Sequence, residues 1–194
     1  MNAYVKMIIF VSVLGLFTSG LLMSVNILTE ARIIANQEAA IKTAILDSND
    51  VSFTAGNVNE RFDEEIEIFE YEDLILYIHI ETGRVSIQFS GEGVWGPIIG
   101  ILTLEDDFET IKAIKILQQE ETPGLGGVVA EPQYLAKFVG KVMNPELIIS
   151  KDADMSNENE VDSITGATRT SNAFEDILNS AYSEHLDAWN SYNE

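Results

Sequence analysis

The chain contains no cysteine. That excludes disulfides, iron–sulfur clusters and thiolate zinc sites together. Any redox role then falls to a bound organic cofactor. The same absence does not fix the compartment, since exported bacterial proteins also do without cysteine. Histidine is nearly as scarce. His79 lies in a strand-like run and His185 near the C-terminus, so their spacing offers no metal pair and each reads as structural. The carboxylates form no recognisable calcium loop. Positive charge is also sparse: 11 Lys and Arg face 32 Asp and Glu, a formal net charge of -21. A phosphate backbone repels such a surface, which excludes nucleic acid as a partner. No internal repeat is visible.

What is present begins with an apolar run from Met7 to Leu28 that holds no charged residue. As a helix rising about 1.5 Å per residue, it is long enough for a hydrocarbon core of about 30 Å. Lys6 precedes it, Glu30 and Arg32 follow, and most acidic residues lie beyond. The positive-inside bias favours a cytoplasmic N-terminus and an external domain. A cleaved signal peptide is the competing reading. The run exceeds a normal signal core, and no small-x-small cleavage site or lipobox cysteine follows it. A retained anchor is therefore expected. Gly15 and Ser19 form a small-xxx-small pair able to pack on another membrane helix.

Thr29 to about Asp47 favours helix, with Ile34, Ile41 and Ile45 near helical spacing. Ser48 to Asn59 is polar and reads as a loop. Strand-like runs follow at Leu74–Ile80, Val85–Phe89, Ile98–Leu104 and Ile111–Ile116, the last alternating apolar with charged. Gly83-Arg84 offers one turn and Asp106 to Glu109 a hairpin connection. Tyr134 to Lys141 predicts a short helix with Leu135 and Phe138 inward. Leu147 to Ile149 predicts a strand, and Asp152 to Glu160 a solvated acidic loop. The clearest helix is the last. Phe174, Ile177, Leu178, Ala181 and Tyr182 share one apolar face. Asn172 with Glu175 predicts its N-terminal cap, with Thr170 or Ser171 as other caps. The class is α+β, an antiparallel sheet with helices packed against it.

Just before that helix stands Asp162-Ser163-Ile164-Thr165-Gly166-Ala167-Thr168, a D-x-x-[ST]-G-A-T string. It resembles the flavinylation motif of the FMN-binding domain in the G subunit of Rnf complexes and the C subunit of the sodium-pumping NADH:quinone oxidoreductase. Glu121-Thr122-Pro123-Gly124-Leu125-Gly126-Gly127 is similar to that family's E-T-P-G-L-G segment. Gly93-Val94-Trp95-Gly96-Pro97, Glu131-Pro132 and Phe138-Val139-Gly140-Lys141 add to the resemblance. It covers roughly Asp73 to Tyr182. The region Thr29 to Asp73 carries no recognisable motif.

The resemblance implies a covalent FMN joined through a phosphoester to Thr168. It implies a separate flavin transferase using FAD and Mg²⁺, with Asp162 part of what that enzyme reads. The residues suit such a site. A phosphate at a helix N-terminus meets free N–H groups and the positive dipole end. Gly166 lets backbone approach, Ala167 does not obstruct, and Thr165, Thr170 and Ser171 offer hydroxyl donors. Pro123-Gly124 signals a type II turn, with Gly supplying positive φ. Thr122 and Gly124 belong to this cofactor-binding segment, and Leu125 is placed against a ring face. Trp95 is either a packing residue or a second pocket wall. Glu121 either bonds a ring edge or is an exposed turn carboxylate. Without the rest of the pattern, a Ser- and Thr-rich stretch before a helix would be read as a cap alone.

These readings divide the chain into residues 1–6, a cytoplasmic N-terminus; 7–28, a transmembrane helix; 29–60, a connecting helix and loop; and 61–194, an extracytoplasmic FMN-binding domain. The resemblance implies a G-type electron-transfer subunit of an Rnf complex in the inner (plasma) membrane, moving electrons between ferredoxin and NAD. The C-type subunit of the quinone reductase and a stand-alone anchored flavoprotein are the alternatives. The implied partners are the other redox subunits, the transferase and the membrane. No residue is assigned a catalytic or metal-binding role, because enzyme status belongs to the complex.

Overall fold

A computed structural model describes residues 2–154 and 156–193 of the 194-residue chain. Met155, within the expected acidic loop, lies outside the described residues, as do Met1 and Glu194. The chain divides into two compact units, Met1–Ala39 and Ala40–Glu194.

The first unit consists of helix α1 (Ala3–Ser48) up to Ala39. Its apolar side chains are exposed: Leu16, Leu22 and Leu28 are 76%, 72% and 77% exposed. The helix is long and apolar enough to cross a membrane. Three of its hydroxyls bond back to the helix's own carbonyls, which suits a hydrocarbon surrounding. Thr18 Oγ1 donates to the Leu14 carbonyl at 3.0 Å, Ser24 Oγ to Gly20 at 2.7 Å and Thr29 Oγ1 to Val25 at 2.9 Å.

In the second unit, α1 ends with Ala44, Ile45 and Leu46 buried. Helix α2 (Val58–Glu65) follows, then five strands: β1 (Ile66–Tyr71), β2 (Leu74–His79), β3 (Val85–Glu92), β4 (Pro97–Leu104) and β5 (Ile111–Gln118). They pair antiparallel in chain order. Short helices run over Gly126–Ala130 and Ala136–Phe138, with α3 (Pro132–Leu135) between them. Strands β6 (Ile148–Ser150) and β7 (Glu160–Asp162) pair in parallel, and α4 (Thr168–Tyr192) closes the chain.

Strand alternation gives the sheet two buried faces. Leu76, Ile78, Ile87, Phe89, Leu102 and Ile114 look toward α4, whose Phe174, Ile177, Leu178, Ala181 and Tyr182 form the predicted apolar stripe. Phe174 meets Phe89 and Phe138 edge-on, with ring centroids 6.0 and 5.7 Å apart. The opposite face packs Ile101 and Tyr77 against Ile45, Leu46 and Phe62.

The α+β class and the four expected strand runs are present. Several expectations change. Helix α2 and β1 replace a featureless approach to the sheet. Helix α2 buries only Phe62, and β1 is an edge strand that keeps Glu67 and Glu70 in solvent, so neither carries strong apolar periodicity. The acidic loop ends in a strand, because Val161 is fully buried beside β6. The short helix after Glu131 turns Tyr134 and Phe138 inward, while Leu135 is half-buried. Helix α4 begins at Thr168, with Ala167 in the cap position and no side-chain cap. Asn172, Thr170 and Ser171 are therefore inside the helix rather than capping it.

Candidate functional site

Three turns converge at one end of the sheet. The first joins β3 to β4, where the Gly93 N–H donates to the Gly96 carbonyl at 2.9 Å and lifts Val94 and Trp95 out. The second follows β5. Its Leu125 N–H donates to the Thr122 carbonyl at 3.1 Å with Gly124 at φ 73°, the predicted type II turn. The third leads into α4. The Ala167 N–H donates to Ile164 at 3.0 Å, with Gly166 at φ 81°. A Cβ on Gly166 would meet only Leu125 Cδ2 at 3.4 Å, so the φ rather than space demands glycine there.

These turns enclose a groove of about 330 Å³ lined by Trp95, Glu121, Leu125, Gly166 and Thr168 among others. Trp95 is 71% exposed and Leu125 46% exposed. Trp95 is thus a groove wall and not a packing residue. Thr122 and Ala167 also line it, the former exposed and the latter buried. Gly124 and Thr165 are exposed beside the groove without lining it. Thr168 is exposed at the first position of α4, and beside it Arg169 is the only basic residue lining the groove among the described residues.

The hydroxyls divide. Thr170 Oγ1 donates to Glu121 Oε2 at 2.7 Å and is buried. Ser171 Oγ is fully buried, accepts from the Ile164 N–H at 2.9 Å and donates to the Ala167 carbonyl at 3.2 Å. Both were expected to face a phosphate; both are committed within the protein. Of the first-turn amides, Ser171 N–H donates to Ala167 at 3.0 Å, while those of Thr168, Arg169 and Thr170 have no protein acceptor among the described residues. Unpaired N–H groups and the helix dipole favour an anion there.

Glu121 differs from both readings of it. It is 4% exposed, and its Oε1 accepts from the backbone N–H groups of Val94 and Trp95 at 2.7 and 3.0 Å. It is neither an exposed carboxylate nor a free ring-edge partner. Asp162, at the end of β7, is half-buried and paired with Lys137 at 3.4 Å. His79 and His185 are both buried and lie outside the groove. His79 Nδ1 meets Thr82 Oγ1 at 2.8 Å, and His185 Nδ1 meets the Ala181 carbonyl at 2.7 Å. Sequence reasoning missed Val94, Gly126 and Arg169 as lining residues. Arg169 was findable, since a cation next to the hydroxyl in the same helical turn suits a phosphoryl group.

An exposed hydroxyl, free helix N–H groups and a cation, with two exposed apolar side chains lining the same groove, fit a ligand that joins a phosphoryl group to a flat ring. The structure thus has the features of a cofactor-carrying domain. Residues 93–183 match the family described as FMN-binding domain, and every groove residue named above falls in that span. That stretch, a little under half of the chain, is similar to an FMN-binding domain. Among curated proteins, the chain is 35% identical over 97 residues to the C subunit of the Na(+)-translocating NADH-quinone reductase of Pasteurella multocida, covering 47% of this chain and 37% of that one. It is 38% identical over 96 residues to the same protein of Haemophilus ducreyi, with 47% and 37% covered. The match therefore spans less than two-fifths of the length of these relatives. Two solved structures share the fold. The corresponding protein from Parabacteroides distasonis has TM-score 0.65 and 23% identity, covering 80% of this chain and 94% of that one. NqrC of Shewanella oneidensis has TM-score 0.66 and 17% identity, covering 79% and 99%.

Proposed function

We propose that the chain is the electron-transfer subunit of a membrane-bound, ion-translocating redox complex, carrying FMN through a phosphoester to Thr168. The observation that carries this reading is the placement of Thr168. Its exposed hydroxyl lines the groove at the first position of α4, beside Arg169 and unpaired backbone N–H groups. Those groups offset phosphoryl charge. Thr122, the other exposed threonine of the groove, sits in a turn and has no helix N-terminus beside it. Trp95 and Leu125 present apolar surface to the ring, and Gly166 keeps the backbone low. When bound, the flavin supplies one- and two-electron chemistry that no side chain of this chain offers. Attachment balances as a phosphoryl transfer from FAD. The Thr168 Oγ–P bond forms at the FMN phosphorus, the pyrophosphate P–O bond breaks, AMP departs with the electron pair, and the hydroxyl proton passes to the transferase. Asp162 fits the resemblance to a transferase-recognition position.

A covalent bond suits a domain outside the cytoplasm, where released FMN would be lost, and tethering replaces bulk concentration with a local one. In this reading α1 crosses the inner membrane once, with the FMN-binding domain on the external side. The G-type place in an Rnf complex is the reading reached from sequence. The names of the relatives support the quinone reductase alternative. Purification of the complex from native membranes tests both. Ferredoxin- and NAD-reactive subunits travelling with the chain establish the Rnf place, and quinone-reducing subunits establish the other. A chain that travels alone makes it a stand-alone anchored flavoprotein. Denaturing-gel flavin fluorescence after co-expression with a flavin transferase tests the cofactor: a fluorescent band supports the reading, and a dark one removes it.

A further inference from the structure

We propose that Glu121 is the positioning residue of this site, a buried anionic clamp that fixes the Trp95 wall to the Thr168 helix and holds the flavin's reduction potential down. The proposal rests on the flavin reading above and concerns what the established fold does to the ring.

The carboxylate joins three segments distant in sequence. Oε1 accepts from the Val94 and Trp95 N–H groups at 2.7 and 3.0 Å, and Oε2 accepts from Thr170 Oγ1 at 2.7 Å. Thr170 shares the first turn of α4 with Thr168, so one carboxylate fixes the separation between ring wall and attachment point. The surrounding glycines are shaped to it. A Cβ on Gly93 would stand 2.6 Å from Oε1, and one on Gly126 would stand 2.4 Å from Oε2. Side chains at either position would evict the carboxylate, since carbon–oxygen contacts that close do not occur. The two glycine-bearing turns are thus built around Glu121.

The charge is uncompensated. Glu121 acts as an acceptor at each contact, and no Lys or Arg pairs with it among the described residues. A buried carboxylate held only by dipoles costs more than an apolar side chain of its size, so packing alone does not explain it. Its field acts through a poorly screened wall of the groove. An anion beside a ring opposes the arrival of electrons, which lowers the potential.

Shape and charge separate cleanly. In Glu121→Gln the amide oxygen accepts from Val94 and Trp95, and the NH₂ donates to Thr170, whose hydroxyl turns to accept. The clamp stays and the charge goes. Thr170→Val removes one arm and keeps the charge. The test uses the full chain co-expressed with a flavin transferase and purified in detergent. It reads covalent flavin in denaturing gels, flavin fluorescence anisotropy and the midpoint potential. Glu121→Gln is expected to retain covalent flavin, with its potential moved positive. Thr170→Val is expected to keep the wild-type potential with lowered anisotropy and slower loading. A wild-type potential in Glu121→Gln overturns the electrostatic role. Wild-type anisotropy and loading in Thr170→Val overturn the positioning role. A wild-type chain that takes no covalent flavin instead overturns the functional reading beneath both.

Discussion

The first turn of α4 has two faces that share a chemistry and differ in everything else. Thr168 and Arg169 look into the groove and are exposed, whereas Thr170 and Ser171, one step further, are 3% and 0% exposed. The buried pair is fully employed, one hydroxyl on Glu121 and the other on Ile164 and Ala167. The exposed threonine has an unpaired hydroxyl among the described residues. A hydroxyl-rich segment thus splits into a free part that lines the groove and a part committed to internal hydrogen bonds. Burial, which composition does not reveal, decides which residue does which.

The largest expected effect breaks the exposed face. Thr168→Val removes the groove-lining hydroxyl that stands at the start of α4, so covalent flavin should vanish from denaturing gels. Stability should change by no more than about 0.5 kcal/mol, because the site is a surface one. Arg169→Ala comes next: losing one charge-assisted contact should slow flavin loading by about tenfold in a timed transfer assay. The buried face gives the opposite pattern. Ser171→Ala leaves the Ile164 N–H without its partner, which should cost about 1–3 kcal/mol in urea unfolding while the folded fraction still takes up flavin.

That contrast also shows what could be read from the sequence. The helix from Phe174 to Tyr182 was legible because its apolar residues repeat at helical spacing, and the strands from β2 to β5 because each is a dense or alternating apolar run. Strand β1 was not, since an edge strand bearing Glu67 and Glu70 has no such pattern. Strand β7 was hidden in an acidic stretch and is revealed only by Val161 meeting β6. At the site, Pro123-Gly124 announced its turn and the positive φ of Gly124, whereas the positive φ of Gly166 was not foreseen. The partners of Glu121 could not be foreseen, because Val94, Trp95 and Thr170 come from distant segments brought together by the fold. The α4 start was misplaced for a related reason. Thr170 and Ser171 are good capping residues, but their hydroxyls have acceptors that place them inside the helix.

The smallest expected effect lies further along α4, away from the groove. Burial lowers the affinity of His185 for a proton below the ordinary imidazole value. The unfolded chain therefore binds that proton more readily than the folded one, so this contribution to stability is full above about pH 6.5 and declines as pH falls below it. The urea midpoint should drop between about pH 7.5 and pH 5.5 in wild type and drop less in His185→Gln. Flavin loading at Thr168 should not follow this change.

The central claim is that one threonine of the turn carries the cofactor and its neighbours do not. Peptide mass mapping of the full chain, matured with a flavin transferase, tests it most directly. The account predicts a peptide bearing one FMN, less one water, on Thr168, with Thr165, Thr170 and Ser171 unmodified. Flavin mapped to any of those three, or a Thr168 peptide of unmodified mass, would contradict it.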